Sequence, residues 1–279
     1  MYFSTLADYF EKLENTSSRN SMTEILADLF KDAGINEIDR VMYLSLGRLA
    51  PLYEPIEFQM ADKMVLKAIA LAYGKKAEEV LKTYKKVGDL GKVVDKLHKN
   101  HVKSHLSVNQ IYDKLYEIAL EGGKGSVERK VGGLAGLLKS SEVKSARFLA
   151  RIPVGNLRLG FSDLTVLDAI SFAYVGDKSK RKEYEAAYHV RPDIGWLAKE
   201  IKNNKGRIGK PYPVVGTPIL MARCERLNDA KTILEKAGTK VAVEPKFDGF
   251  RLQIHLKRAK EPKSQRAKSQ MMTRDEKGE

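Results

Sequence analysis

The chain has 279 residues, 43% of them hydrophobic, which is enough for one large domain or two ordinary ones and too apolar for wholesale disorder. Lys and Arg number 50 against 36 Asp and Glu, a net charge of +14 that suits a polyanionic partner. The single cysteine, Cys224, excludes an intrachain disulfide and is expected in the core. No apolar run approaches the roughly 18 residues of a membrane span, and Asp8, Glu11 and Glu14 oppose a signal peptide, so a soluble intracellular protein is expected.

From residue 4 to about 203 the pattern is that of consecutive short amphipathic helices. Leu6, Tyr9, Phe10 and Leu13 recur at i, i+3, i+4 and i+7, and Met22, Ile25, Leu26, Leu29 and Phe30 do the same ahead of a stop at Gly34. Helical periodicity continues over 36–49, 60–73, 76–86, 89–99, 107–121, 126–138, 141–151, 163–174 and 193–203. Ser107, Ser126, Ser141 and Ser162 stand as N-caps, while Gly74, Gly88 and the Gly122-Gly123 pair supply stops. Alternation at period two is absent here, so residues 1–205 are expected to form an all-α domain. The charge of the whole chain is uneven: residues 1–60 carry 5 basic and 10 acidic side chains, residues 61–279 carry 45 and 26. One face or stripe given over to phosphates follows from that asymmetry.

Residues 206–218 hold too many prolines and glycines for a helix and are expected to be a linker or extended entry segment. A short helix is predicted around 228–237, ended by Gly238. Residues 240–244 and 250–256 then read as two strands flanking an Asp248-Gly249 turn, with Leu252, Ile254 and Leu256 alternating against Gln253 and His255. The fold class is therefore mainly α, with a second domain opening as α/β over 219–256. Residues 257–279, with 8 basic and 4 acidic side chains and almost no apolar ones, read as a polar tail.

Between those strands lies Val243-Glu244-Pro245-Lys246-Phe247-Asp248-Gly249-Phe250-Arg251. A tight turn alone accounts for Asp248 and Gly249. It does not account for Glu244, Lys246 and Arg251, because Lys and Glu are poor strand formers. A lysine amine becomes a nucleophile only when deprotonated, against an ordinary pKa of about 10.4. The spacing resembles motif I of the covalent nucleotidyltransferases: DNA ligases, RNA ligases and capping enzymes. Leu157-Arg158-Leu159-Gly160-Phe161-Ser162-Asp163, Pro55-Ile56-Glu57-Phe58, Gly132 to Leu138 and Gly216 to Ala222 are similar to segments of archaeal- and eukaryotic-type ATP-dependent DNA ligases. Capping enzymes and RNA ligases share the lysine motif but not this helical domain.

The resemblance implies a helical DNA-binding domain followed by the start of an ATP-grasp-like adenylation domain, acting in DNA replication, repair and recombination. Lys246 would be the catalytic nucleophile that becomes lysyl-AMP. Glu244 would accept from the adenine amine, Asp248 would position the lysine, and Arg251 would contact ribose or phosphate. ATP and Mg²⁺ are the implied cofactors, with no metal ligand assigned. Nicked double-stranded DNA is the implied partner; a sliding clamp is admitted, and a monomer is expected. Lys139, Lys144, Arg147, Arg151 and Arg158, around the Leu-Arg-Leu-Gly segment, are the candidate phosphate contacts. Only 33 residues follow Lys246, so the expectation is a ligase cut short, without autonomous ligation. The alternative is a non-catalytic, sequence-independent DNA-binding protein keeping motif I as a relic. His98, His101 and His105, at i, i+3 and i+7 without a cysteine, are not expected to hold zinc.

Overall fold

The computed structural model describes residues 1–98, 104–221, 226–238, 240–245, 249 and 252–257. Two compact units emerge: residues 1–212 with 219–221, and residues 213–218 with 222–279. In the first, helices follow in chain order: α1 (Phe3–Glu14), α2 (Arg19–Asp32), α3 (Ile38–Ser45), α4 (Asp62–Tyr73), α5 (Ala77–Val87) and α6 (Leu90–Leu97). After them come α7 (Val108–Leu120), α8 (Ser126–Lys139), α9 (Val143–Leu149), a 3₁₀ turn at Ile152–Val154, α10 (Asp163–Val175), α11 (Arg181–Val190) and α12 (Ile194–Asn203). The second unit contributes α13 (Ala230–Ala237). Among the described residues no helix is long and apolar enough to cross a membrane.

Each predicted helix forms, with ends set by identifiable chemistry. Ser107 makes a reciprocal capping box with Gln110, and the Asp89 and Asp193 side chains cap α6 and α12. Ser162 stands at the N-cap of α10 without a side-chain cap bond. Ser126 instead begins α8 behind Gly125, and Ser141 Oγ turns back to donate to the Leu137 carbonyl at 2.8 Å. The predicted 36–49 helix stops at Ser45, because Gly47 takes a left-handed φ of +69° that ends the turn. One helix, α11, lies where no helix is read from the sequence. Its buried stripe is only Tyr184, Ala187 and Tyr188, embedded in the charge run from Asp177 to Glu185.

Packing follows from which faces are apolar. α10 lies against α2 and α11, buried from Thr165 to Ser171 on every side, so it shows no amphipathic period. Asp168, buried within it, pairs with Lys178 at 3.0 Å and Arg181 at 3.3 Å, tying α10 to the start of α11. α4 packs on α8, and the buried Lys130 ammonium donates to the Phe58 carbonyl at 2.7 Å, pinning the 54–61 loop. α1 and α9 meet at Phe10 and Phe148, edge to face at 5.3 Å.

α12 approaches α3 closely because Gly195 lacks a side chain. A Cβ there would enter the Tyr43 ring, 2.7 Å from the hydroxyl that donates to Asp193. Gly195→Ala is expected to cost about 1–3 kcal/mol through overpacking, read as a lower denaturant midpoint with an unchanged m-value.

In the second unit the two expected strands are not seen among the described residues. Residues 240–245 and 252–257 carry no regular structure, and there is no strand among the described residues. Val243, Leu252, Ile254 and Leu256, the side chains meant to bury one face, are 71–91% exposed. α13 does form, capped by Asp229, which accepts from the Thr232 amide at 2.8 Å.

Candidate nucleic-acid interface

The basic stretch around the Leu-Arg-Leu-Gly segment divides on folding into an inward half and an outward half. Lys144 and Arg147 of α9 face α1. Lys144 Nζ meets Asp8 at 2.7 Å and Glu11 at 2.8 Å, and Arg147 pairs with Glu14 and lies 3.6 Å from Asp95 of α6. Arg151, expected at a phosphate, is 1% exposed. It donates to Asp89 at 2.7 and 3.2 Å and to Glu14 at 3.1 Å, and it overlies the Phe148 ring. A guanidinium closed in on all sides has no surface to offer DNA, so its work is to join α9 to α1 and α6. Gly91 permits that approach: a Cβ there would sit 2.6 Å from Arg151 Nε.

The outward half is the loop from Gly155 to Phe161. Leu157 and Leu159 are buried and anchor it, while Arg158 between them points outward, 45% exposed. Arg158 adopts φ +59°, a left-handed conformation that non-glycine residues rarely take. It is held there by its own side chain: Nε lies 3.1 Å from Asp89 Oδ2, and Nη2 donates to the Gly88 carbonyl at 2.9 Å. Gly160 at φ +74° turns the chain into α10, whose first turn follows. Lys139 is exposed in the last turn of α8.

Arg158 therefore rests on the turn between α5 and α6. Lys85 and Lys86 occupy the last turn of α5 just before Gly88, and Lys92 and Lys96 lie one turn apart on α6; all four are exposed. These lysines are not among the candidates taken from the sequence. The available signal was the Gly88-Asp89 turn, whose glycine exposes a carbonyl and whose aspartate is buried.

Burial alone would raise the Asp89 carboxyl pKa. Hydrogen bonds from Arg151 and the Lys92 amide, with the Arg151 and Arg158 charges, outweigh it and hold the pKa below the ordinary range. Asp89 is thus an anion throughout the neutral range.

Of the residues expected at a nucleotide, Glu244 is exposed in the irregular segment of the second unit; Lys246, Asp248 and Arg251 lie outside the described residues, as does Cys224. Among the described residues no group of three acidic, histidine or cysteine side chains could hold a metal. His98 is buried with Nε2 2.9 Å from the Ser141 carbonyl, His105 packs edge-on to Tyr2, and His101 lies outside the described residues.

A family model describing the DNA ligase N terminus matches residues 2–171. The chain is 48% identical over 258 residues to a "Probable DNA ligase" of Dictyoglomus thermophilum, covering 92% of this chain and 44% of that protein. It is 41% identical over 267 residues to "DNA ligase 2" of Thermofilum pendens, covering 91% and 44%. It is also 40% identical over 272 residues to a "DNA ligase" of Sulfurisphaera tokodaii, covering 92% and 45%. The chain spans under half the length of these curated relatives.

Proposed function

The chain belongs to the DNA ligase N-terminus family, and from that premise we propose that residues 1–205 are a helical module that grips nicked duplex DNA for an ATP-dependent DNA ligase. Residues 206–218 serve as the linker, 219–256 open the adenylation domain, and 257–279 form a basic tail. The observation that carries the DNA reading is Arg158, fixed outward on the same turn that ends α5 behind Lys85 and Lys86 and begins α6 ahead of Lys92. These cations, with Lys139, present charge to phosphates and no base-reading geometry, so binding is expected to be sequence-independent.

In the nucleotidyl step the Lys246 ammonium would release its proton to solvent and its lone pair would attack the α-phosphorus of ATP. The bond to the bridging oxygen breaks, and pyrophosphate leaves. Glu244 would accept from the adenine amine, Asp248 would help position Lys246, and Arg251 would contact ribose or phosphate. These four side chains supply acceptor, nucleophile and cation, which fits a nucleotide. Mg²⁺ would offset charge on the leaving pyrophosphate, and no residue of this chain is assigned to it. The AMP then passes to a DNA 5′-phosphate, and the adjacent 3′-hydroxyl displaces it to seal the nick.

The DNA face is tested by salt titration of nicked-duplex binding. Replacing Lys85 and Lys86 together by alanine is expected to weaken binding on every sequence and lower the log-log salt slope by about 2, roughly one unit for each phosphate no longer neutralised. Both lysines also sit favourably at a helix C-terminus, a local effect of about 0.3–1 kcal/mol on stability. That effect would move the melting temperature and leave the salt slope alone. An unchanged slope removes these lysines from the interface.

A further inference from the structure

We propose that Asp89 is a positioning residue for DNA binding, holding the Arg158 loop in the shape that meets the phosphate backbone; this rests on the DNA-binding reading above. Asp89 is 3% exposed, and its two oxygens divide their work. Oδ1 accepts from the Lys92 amide at 2.7 Å, capping α6, and takes Arg151 Nη2 at 2.7 Å. Oδ2 faces outward to Arg158 Nε at 3.1 Å. A helix cap needs one oxygen, so the second is spent on the loop.

What it holds would not persist unaided. A non-glycine residue at φ +59° is strained, and a free arginine side chain has rotamer entropy to lose on immobilisation. The Asp89 carboxylate and the Gly88 carbonyl together fix both the backbone and the guanidinium before DNA arrives. The ion pair at Nε and the hydrogen bond from Nη2 hold one edge of the guanidinium and leave Nη1 for a phosphate oxygen. Arg151 on the inner side keeps Asp89 charged and unable to swing outward. Since Arg158 and Arg151 share it, the carboxylate does not set a bare negative charge against the DNA.

Asp89→Asn separates the two roles. Asparagine is as good an N-cap as aspartate. With its amide oxygen kept on the Lys92 N–H and Arg151, its NH₂ group faces Arg158 Nε, donor against donor. Arg158→Lys is the complementary variant: it keeps the charge but cannot span Asp89 Oδ2 and the Gly88 carbonyl together.

The experiment measures nicked-duplex affinity against salt for the full chain, Asp89→Asn, Arg158→Ala, Arg158→Lys and the Asp89→Asn/Arg158→Ala double variant, with thermal unfolding alongside. Asp89→Asn and Arg158→Lys are each expected to weaken binding about tenfold, the equivalent of 1.4 kcal/mol, and to lower the salt slope by about one. The double variant is expected to bind no worse than Arg158→Ala, because Asp89 acts through Arg158. Losses that multiply in the double variant, or an Asp89→Asn protein that binds as the native chain does, overturn the proposal. If Asp89→Asn does not fold, Arg158→Lys decides: native affinity and slope in that variant overturn it as well. An Arg158→Ala protein with unchanged affinity and slope would instead sink the DNA reading of this face, and the positioning role with it.

Discussion

Replacing Lys246 by arginine is expected to abolish uptake of AMP from ATP and Mg²⁺ entirely, as is replacement by alanine. The arginine variant is the informative one. It keeps a positive charge at the α-phosphate but cannot give up its proton, since a guanidinium stays protonated in proteins. Any role for Lys246 as a mere phosphate clamp would survive Lys246→Arg in part; a nucleophile would not. Intact-protein mass after incubation reads this directly. An adduct on the native chain and on neither variant supports the assignment, and an adduct on Lys246→Arg overturns it. No adduct on a native chain that still binds nicked DNA would favour the binding-module reading.

Arg151→Met is expected to destabilise the helical domain by about 3–4 kcal/mol, because removing one partner of a buried ion pair leaves its carboxylates undercompensated. Methionine matches much of the aliphatic volume, so the cost comes from charge and not from a cavity. Arg158 and Arg147 continue to face Asp89 and Glu14, which keeps the effect toward the lower part of the range for such deletions. The pH dependence identifies the source. A carboxylate with a depressed folded-state pKa stabilises the protein above its unfolded value, about 3.9, and loses that contribution as the pH falls through the folded value. Asp89 is such a group through Arg151. The gap between native and Arg151→Met proteins should therefore be full at pH 7 and narrow below about pH 4 as the carboxylates protonate. Denaturant unfolding at both pH values checks it; a gap independent of pH would mean that packing against Phe148, not charge, dominates.

Much of the helical domain was legible because its helices are amphipathic and bracketed by caps and glycines. α11 was not, since three buried side chains in ten residues leave the periodicity inside a charge run. Alternation over 240–244 and 250–256 describes what a strand would bury once a partner covers it, and among the described residues Ile254 and Val243 stand exposed. At the interface, composition pointed to phosphates and the Leu-Arg-Leu-Gly segment located the loop. Which arginines face outward was beyond it, because Arg151 and Arg158 are alike as sequence and differ only in the carboxylates the fold brings to them. The acidic beginning of the chain reads differently once folded. Asp8, Glu11 and Glu14 are the counter-charges of α9, not a surface that repels DNA.

That arrangement has a bearing on how the domain comes to be folded. The bond between Arg151 and Glu14 joins residues 137 apart in the chain, and that between Lys144 and Asp8 joins residues 136 apart. α1 has its charged partner and the Phe148 ring more than a hundred residues downstream. Closing so long a loop delays the reward for every local helix formed before it, which slows folding relative to a bundle of neighbouring helices. A nascent chain that has reached only α7 would still hold the acidic face of α1 open to water.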